Sequence, residues 1–227
     1  MYKNDISRAE GRVVVNSYPD RGYLFSIEGI DGSGKTTTAK TLVNFINISF
    51  IEDGAVYFRE PTSESDAGRK VRSYLDEHQH IADNELIDLF VADREYDVTN
   101  NIQPALDKQK IVVLDRYFVS NAVYEHSNVY PWRTILARNR LLYPEPDAIF
   151  ILDPGVDVCK QRICDRGEGV SQYETREELQ RTHDIFDEII KYDLEGHYIV
   201  LETDGWKVGE VALAIQAEII KMLPAEV

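Results

Sequence analysis

The sequence predicts an α/β fold in which helices wrap a parallel sheet. Short apolar runs rich in β-branched and aromatic residues alternate with longer stretches of helical periodicity, which is typical of parallel strands joined by crossover helices. Polar residues collect at the carboxyl ends of the apolar runs, and a glycine-rich turn follows the first run. Ligands of open parallel sheets bind at that edge, so the polar residues there are candidate functional residues.

Five apolar runs are predicted as the strands, and each ends in an acidic residue. A sixth run, Val13–Val15, lies in the segment before them and is compatible with an added edge strand or with a mobile tail. The predicted strands are Tyr23–Glu28, Ala55–Glu60, Ile111–Asp115, Ala148–Asp153 and Tyr198–Glu202.

Helices are predicted in the segments between these strands. The first opens at the glycine-rich turn, Pro104 interrupts the longest one, and Pro131 separates two shorter ones. The predicted helices are Lys35–Ser49, Glu64–His78, Asn84–Asp107, Ser120–Glu125, Thr134–Leu142, Val156–Cys164, Arg176–Lys191 and Trp206–Leu223.

Size and charge restrict the class of protein. A chain of 227 residues with 43% hydrophobic and 29% charged residues is that of one folded domain. The net charge of −15 repels nucleic-acid backbones and anionic membranes. No apolar run approaches the ~18 residues needed to cross a bilayer, and the polar residues 1–5 lack the apolar core of a secretory signal. We therefore expect a cytoplasmic protein with no nucleic-acid or membrane partner.

The turn after the first strand is predicted to bind phosphate. Its sequence, GIDGSGKT, has the spacing Gly-x4-Gly-Lys-Thr and lies between a predicted strand and a predicted helix. Glycines let successive N–H groups face an anion, and the helix N-terminus favours the same charge. Lys35 would reach the β- and γ-phosphates, and the Thr36 hydroxyl would hold Mg²⁺. The motif predicts a P-loop NTPase-type fold whose ATP-binding residues are Gly29, Ile30, Asp31, Gly32, Ser33, Gly34, Lys35, Thr36 and Thr37.

Other residues separate the classes of phosphate-loop protein. The chain has no Asn-Lys-x-Asp run for guanine, and the third strand ends in Asp115-Arg116-Tyr117 rather than in the paired acids of a motor ATPase. Asp115 can bind Mg²⁺ through water, and Arg116 can reach a second phosphate group. This combination favours phosphoryl transfer between two nucleotides.

Six short motifs lie along the chain from about residue 23 to the end. They are Phe25–Thr37 (FSIEGIDGSGKTT), Phe58–Thr62 (FREPT), Leu89–Glu95 (LFVADRE), Asp115–Tyr117 (DRY) with Ser120, Pro146–Asp153 (PDAIFILD) and Arg162–Glu174. In sequence and order they resemble the motifs of the thymidylate kinases, within the nucleoside monophosphate kinase superfamily. The resemblance implies a three-layer fold with a five-stranded parallel sheet and a mobile lid at about residues 162–174. It implies transfer of the γ-phosphate of ATP to dTMP, dependence on Mg²⁺, and commonly a homodimer. The kinase domain would span residues 23–227 after an N-terminal extension of residues 1–22.

The resemblance also implies a dTMP site. Phe90 would stack on the thymine ring and Arg94, one helical turn later, would hydrogen-bond the edge of the ring. Arg59 and Arg116 would clamp the dTMP phosphate, and Asp31 would receive the 3′-hydroxyl. The other pocket residues that it implies are Ser120, Asn121, Tyr124 and Tyr173.

Two of these residues have plain structural alternatives. Phe90 could be a core residue, and Arg94 could form a surface ion pair with Glu95 or Asp97. The Glu60–Pro61 bond is a candidate cis peptide, since a tight turn there would permit it.

The implied catalytic cations are Lys35, Arg116 and Arg166, and Arg162 would join the ATP site from the lid. Some family members carry a basic residue inside the phosphate loop, where this chain has Gly32 and Ser33. Others carry an extra lid arginine, where this chain reads Ser171-Gln172. This departure leaves the second catalytic cation unassigned. No general base is needed, because a monophosphate oxygen is already ionised near neutral pH.

Two other functions fit the same motifs. A deoxynucleoside kinase shares the fold but needs a carboxylate base near a sugar hydroxyl, for which Glu28 is the candidate. Arg59 and Arg116 as phosphate clamps count against that function. A nucleotide-binding regulatory protein would hold ATP without a small acceptor, and the unusual lid and long N-terminal segment favour it.

Overall fold

A five-stranded parallel sheet forms the centre of the structure. The computed structural model describes residues 6–9, 12–15, 21–49, 54–77, 83–126, 130–167 and 174–224. Its strands are β1 (Ile6–Ala9), β2 (Arg12–Val15), β3 (Tyr23–Glu28), β4 (Ala55–Arg59), β5 (Ile111–Asp115), β6 (Ala148–Asp153) and β7 (Tyr198–Glu202). The large sheet has the order β4-β5-β3-β6-β7, and all its pairs are parallel. All five predicted strands are confirmed, with β4 ending one residue early.

The Val13–Val15 run lies in β2, which pairs antiparallel with β1 in a separate two-stranded sheet. The sequence left open whether this run is an added edge strand or a tail. In the structure it is not a strand of the large sheet.

Helices lie on both sides of the large sheet. They are α1 (Lys35–Ser49), α2 (Asp66–Glu77), α3 (Asp83–Asp97), α4 (Gln103–Asp107), α5 (Phe118–Tyr124), α6 (Trp132–Leu142), α7 (Val156–Asp165), α8 (Arg176–Tyr192) and α9 (Val208–Met222). The prediction of one helix over Asn84–Asp107 is wrong, because a π-helical turn, Val98–Ile102, separates α3 from α4. Pro104 stands in the first turn of α4, where its missing N–H costs no helical hydrogen bond.

The core consists of two apolar clusters, one on each face of the sheet. Alternate side chains of β5 divide between them, with Val112 and Leu114 in one cluster and Ile111 and Val113 in the other. Residues of α1 and α9 complete one cluster, and residues of α4 to α8 complete the other. The result is the predicted three-layer arrangement. Within the described stretches, none of the helices has the length and hydropathy required to cross a membrane.

The strand register brings the acidic strand ends to one edge. Asp115 is the partner of Ile27 in β3 and of Arg59 in β4, so the ends of the three strands are level. This edge contains the glycine-rich turn, the Asp115-Arg116 pair and Arg59.

Candidate active site

The glycine-rich loop, residues 29–34, connects β3 to α1 and is enclosed by β6 and α7. Gly29 and Gly32 have φ values of 139° and 83°, which side-chain-bearing residues rarely adopt. A Cβ at Gly32 would lie only 2.4 Å from the carbonyl oxygen of Cys159 in α7. Arg162, also in α7, donates from Nη1 to the carbonyl oxygens of Gly32 and Ser33, at 3.3 and 3.4 Å. The predicted ATP-site residue Arg162 therefore lies against the loop.

Lys35 is buried beneath this loop. Its Nζ donates to the carbonyl oxygen of Ile30 at 2.6 Å and to Ser33 Oγ at 3.4 Å. Burial, followed by the charge of Arg116, lowers the pKa of Lys35 to about 8. The side chain is therefore held inside the loop, in the place where a bound phosphate chain needs a cation.

Thr36 and Asp115 form the candidate metal site. Thr36 Oγ1 donates to Asp115 Oδ2 at 2.5 Å, and Tyr57 donates to the same oxygen at 3.2 Å. Asp115 Oδ1 is buried and has no hydrogen-bond partner among the described residues. A hydroxyl and an unpartnered carboxylate oxygen are ligands that Mg²⁺ accepts, so the residues present fit the ion. The described residues contain no cluster of three or more His, Cys, Asp or Glu suited to a metal, so phosphate and water would complete the coordination.

Arg116 connects the loop to the end of β5. Its φ is 70°, an uncommon backbone conformation for a non-glycine residue. The guanidinium pairs with Asp31 of the loop and donates to Ser120 Oγ at 3.2 Å and Tyr124 Oη at 3.4 Å. Burial raises the pKa of Asp31, but the charges of Arg116 and Lys35 lower it, and the net pKa lies below the usual range. Asp31 therefore stays ionised between the two cations.

Glu28, at the end of β3, bonds two of the residues that follow Arg116. The fully buried carboxylate accepts from the backbone N–H of Tyr117 at 2.9 Å and from the hydroxyl of Ser120. Burial raises the pKa of Glu28 to about 7 despite these donors. Because both carboxylate oxygens accept hydrogen bonds from the protein, neither is free to take a proton from a sugar hydroxyl. This counts against the general-base role considered for the deoxynucleoside kinase alternative.

Arg94 is buried in a polar network outside the phosphate loop. Nε donates to both oxygens of Glu60, at 3.1 and 3.0 Å, and Nη2 also bonds this carboxylate. Nη1 donates to Asn121 Oδ1 at 3.1 Å and to Asn139 Oδ1 at 2.6 Å. The partner of Arg94 is thus Glu60, not the Glu95 or Asp97 of the surface-pair alternative. The cis peptide at Glu60–Pro61 is confirmed.

Sequence reasoning missed Glu60 and Asn139 as members of this network. The available signal for Asn139 was its place on the apolar face of α6, three and four residues after Leu136 and Ile135. Phe90, one turn before Arg94, is half-buried, and the two apolar clusters of the described residues do not include it.

The remaining predicted residues lie at the rim of the site or outside the described part. Arg59 is partly exposed, with Nε 3.5 Å from Asp115 Oδ2. Arg166 is exposed and pairs with Glu174 at 2.5 Å. Tyr173 lies outside the described residues. The structure therefore brings the predicted residues together in two contacting groups, Thr36 with Asp115, and Arg116 with Asp31, Ser120 and Tyr124. The two groups meet at the adjacent residues Asp115 and Arg116.

A further buried carboxylate, Asp97, lies at the end of α3. Its Oδ1 accepts from Asn101 Nδ2 at 2.7 Å, and within the described chain its Oδ2 has no hydrogen-bond partner. Burial, followed by the charge of Glu60, raises the pKa of Asp97 to about 7. The charged form is therefore disfavoured in the folded protein.

Asp97→Asn is expected to become more stable relative to the unsubstituted protein as pH rises. The pKa of Asp97 is about 7 in the folded protein, against an ordinary value of 3.8. Protonated Asp97 therefore stabilises the folded protein below pH 4, and this stabilisation is lost as the pH rises through 7. We expect the difference in unfolding free energy to grow by about 2 kcal/mol between pH 5 and pH 8, measured by urea denaturation. Asp66→Asn, at a side chain that is 90% exposed, is the matched control. A difference that stays constant across this range would contradict the prediction.

The sequence of this chain matches the family described as thymidylate kinase over residues 27–210. The thymidylate kinase of Desulfotalea psychrophila is 34% identical over 169 residues, covering 74% of this chain and 82% of that protein. The probable thymidylate kinase of Archaeoglobus fulgidus is 33% identical over 165 residues, covering 72% and 80%. A solved thymidylate kinase from Candida albicans superposes with a TM-score of 0.69 at 22% identity, covering 89% of this chain and 92% of that one, and supports the fold.

Proposed function

The chain belongs to the thymidylate kinase family, and on that premise we propose which of its residues take part in the phosphorylation of dTMP to dTDP with ATP as the donor. The observation that carries the proposal is the position of Arg116. Its guanidinium lies at the sheet edge between the glycine-rich loop and α5, paired with Asp31 of the loop. A cation in that place can contact two phosphate groups that meet there, one from each nucleotide.

The donor side uses the loop. Backbone N–H groups of residues 29–37 and the N-terminus of α1 would bind the phosphate chain of ATP. Lys35 would exchange its bond to the Ile30 carbonyl for a phosphate oxygen. Arg162 would hold the outer side of the loop against α7.

The acceptor side uses the strand ends and α3. Arg59 and Arg116 would bind the dTMP phosphate, and Asp31 would accept from the 3′-hydroxyl. Phe90 and Arg94 would contact the thymine, with Ser120, Asn121, Tyr124 and Tyr173 completing the pocket. The acceptor oxygen is already ionised, so these residues bind and orient rather than remove a proton.

Thr36 and Asp115 would hold Mg²⁺, which supplies neutralisation of phosphate charge when it is bound. Lys35, Arg116 and Arg166 would stabilise the charge that develops on the transferred group. Closure of the lid, which consists of about residues 162–174, would exclude water from the reacting phosphates.

The decisive experiment measures ADP release with Mg-ATP and a panel of acceptors: dTMP, dUMP, dCMP and thymidine. We expect dTMP to give the highest kcat/KM and thymidine to give no turnover. Faster turnover of thymidine than of dTMP would instead identify a deoxynucleoside kinase. ATP binding without acceptor-stimulated turnover would identify a nucleotide-binding regulatory protein.

Asp115→Asn is expected to raise the Mg²⁺ concentration for half-maximal turnover by about tenfold or more, because it removes the anionic ligand. A Mg²⁺ titration at saturating ATP and dTMP measures the change. Asp157→Asn is the matched control, at a carboxylate that is 79% exposed. An unchanged Mg²⁺ requirement in Asp115→Asn would remove Asp115 from the metal site.

The homodimer, the cytoplasmic location and the domain boundary at residue 23 stay predictions. Size-exclusion chromatography with light scattering tests the first: a homodimer has twice the 26.0 kDa mass of the chain.

A further inference from the structure

The guanidinium of Arg94 has almost all of its hydrogen-bonding capacity engaged by protein. Arginine carries five N–H groups, one on Nε and two on each terminal nitrogen. Glu60 takes the Nε group and one group of Nη2, and the two groups of Nη1 face Asn121 and Asn139. Within the part of the chain that the structure describes, the second N–H of Nη2 is the one left for a ligand.

Glu60 holds one edge of the guanidinium, through Nε and Nη2. The Cζ atom of Arg94 also lies over the rings of Tyr117 and Tyr143, 5.3 and 5.8 Å from their centroids. The contacts at Nη1 come from two other helices, with Asn121 in α5 and Asn139 in α6. These contacts restrain the far end of the guanidinium.

The amide of Asn139 has its orientation set by its other partners. Nδ2 donates to the backbone carbonyl of Ile135 at 2.8 Å and to Asn121 Oδ1 at 3.1 Å. Both partners are acceptors, because Asn121 directs its own Nδ2 to Glu125. The amide nitrogen of Asn139 must therefore face them, and Oδ1 must face Arg94. Asn139 is 4% exposed.

We propose that Asn139 is a positioning residue for selection of the pyrimidine, acting through Arg94. By holding Nη1, it keeps the remaining Nη2 N–H directed as a donor toward the base. A donor there favours a carbonyl at position 4 of the ring, as in thymine and uracil, and disfavours the amino group of cytosine. This inference rests on the proposed function, in which Arg94 contacts the thymine edge.

The test compares dTMP and dCMP as acceptors for the unsubstituted protein and Asn139→Leu, which has a similar volume and no acceptor. We expect the ratio of kcat/KM for dTMP to that for dCMP to fall about tenfold or more, mainly through a higher KM for dTMP, with the KM for ATP within twofold. Ile135→Val, on the same buried face of α6, controls for packing and should keep the ratio. If Asn139→Leu does not fold, Asn139→Ser replaces it, since its hydroxyl is too short to reach Nη1.

A double-mutant cycle tests whether Asn139 acts through Arg94. In an Arg94→Lys background, Asn139→Leu should no longer change the ratio. Equal losses on both acceptors, an unchanged ratio, or the same fall in ratio in the Arg94→Lys background would overturn the inference. Absence of dTMP turnover by the unsubstituted protein would refute the proposed function instead, so the two failures are distinguishable.

Discussion

Lys35→Ala is expected to lower kcat by about 10²-fold or more. Lys35 is the cation buried under the glycine-rich loop, and its Nζ already bonds the loop carbonyl of Ile30 at 2.6 Å. Alanine keeps the backbone N–H groups that bind ATP, but it removes the charge that can follow the γ-phosphate during transfer. The loss should therefore fall on kcat more than on the KM for ATP.

Steady-state rates at saturating Mg-ATP and dTMP measure this effect. Lys221→Ala is the control, because Lys221 is an exposed residue of α9 that pairs with Glu218. The charge of Lys35 also predicts that kcat/KM for ATP falls as pH rises above its pKa of about 8, since the neutral amine no longer attracts phosphate. Near-normal turnover by Lys35→Ala would exclude the proposed role.

Arg166→Ala is also expected to slow turnover by about 10²-fold or more. Arg166 follows α7 directly, is exposed, and pairs with Glu174 at 2.5 Å. After burial and the larger effects of Arg116 and Lys35, the charge of Arg166 helps to lower the pKa of Asp31. We expect Arg166 to exchange Glu174 for a phosphate oxygen when the lid closes.

Arg176→Ala is a matched control for this prediction. Arg176 is likewise an exposed arginine with one carboxylate partner, Asp157, but it belongs to α8. Single-turnover measurements would show whether the loss in Arg166→Ala falls on the chemical step. If both variants turned over at the same rate, Arg166 would be only a surface ion pair, and the second catalytic cation would have to come from elsewhere.

The sheet and the phosphate site could be predicted because their signals are local. The three central strands, β3, β5 and β6, are apolar runs buried on both faces, and the edge strands β4 and β7 are apolar runs that are only partly buried. The loop motif specifies its own backbone conformation. The π-helical turn before Pro104 could not be predicted, because helical periodicity does not distinguish it from an α-helix.

The network around Arg94 could not be predicted from the sequence for a different reason. Glu60, Asn121 and Asn139 come from three segments that only the folded chain brings together. The sequence also did not predict that the carboxylate of Glu28 accepts hydrogen bonds from Tyr117 and Ser120 at the start of α5. An acidic residue at the end of a strand gives the same sequence pattern whether its carboxylate contacts a ligand or the protein. Such roles depend on tertiary contacts between segments that are distant in the sequence.

The close approach of Gly32 to Cys159 restricts how this enzyme can be redesigned. A basic residue in place of Gly32 would have its Cβ 2.4 Å from the main-chain oxygen of Cys159, at a φ of 83°. Such a side chain would fit only if α7 moved away from the loop. Added positive charge is therefore better introduced outside this loop.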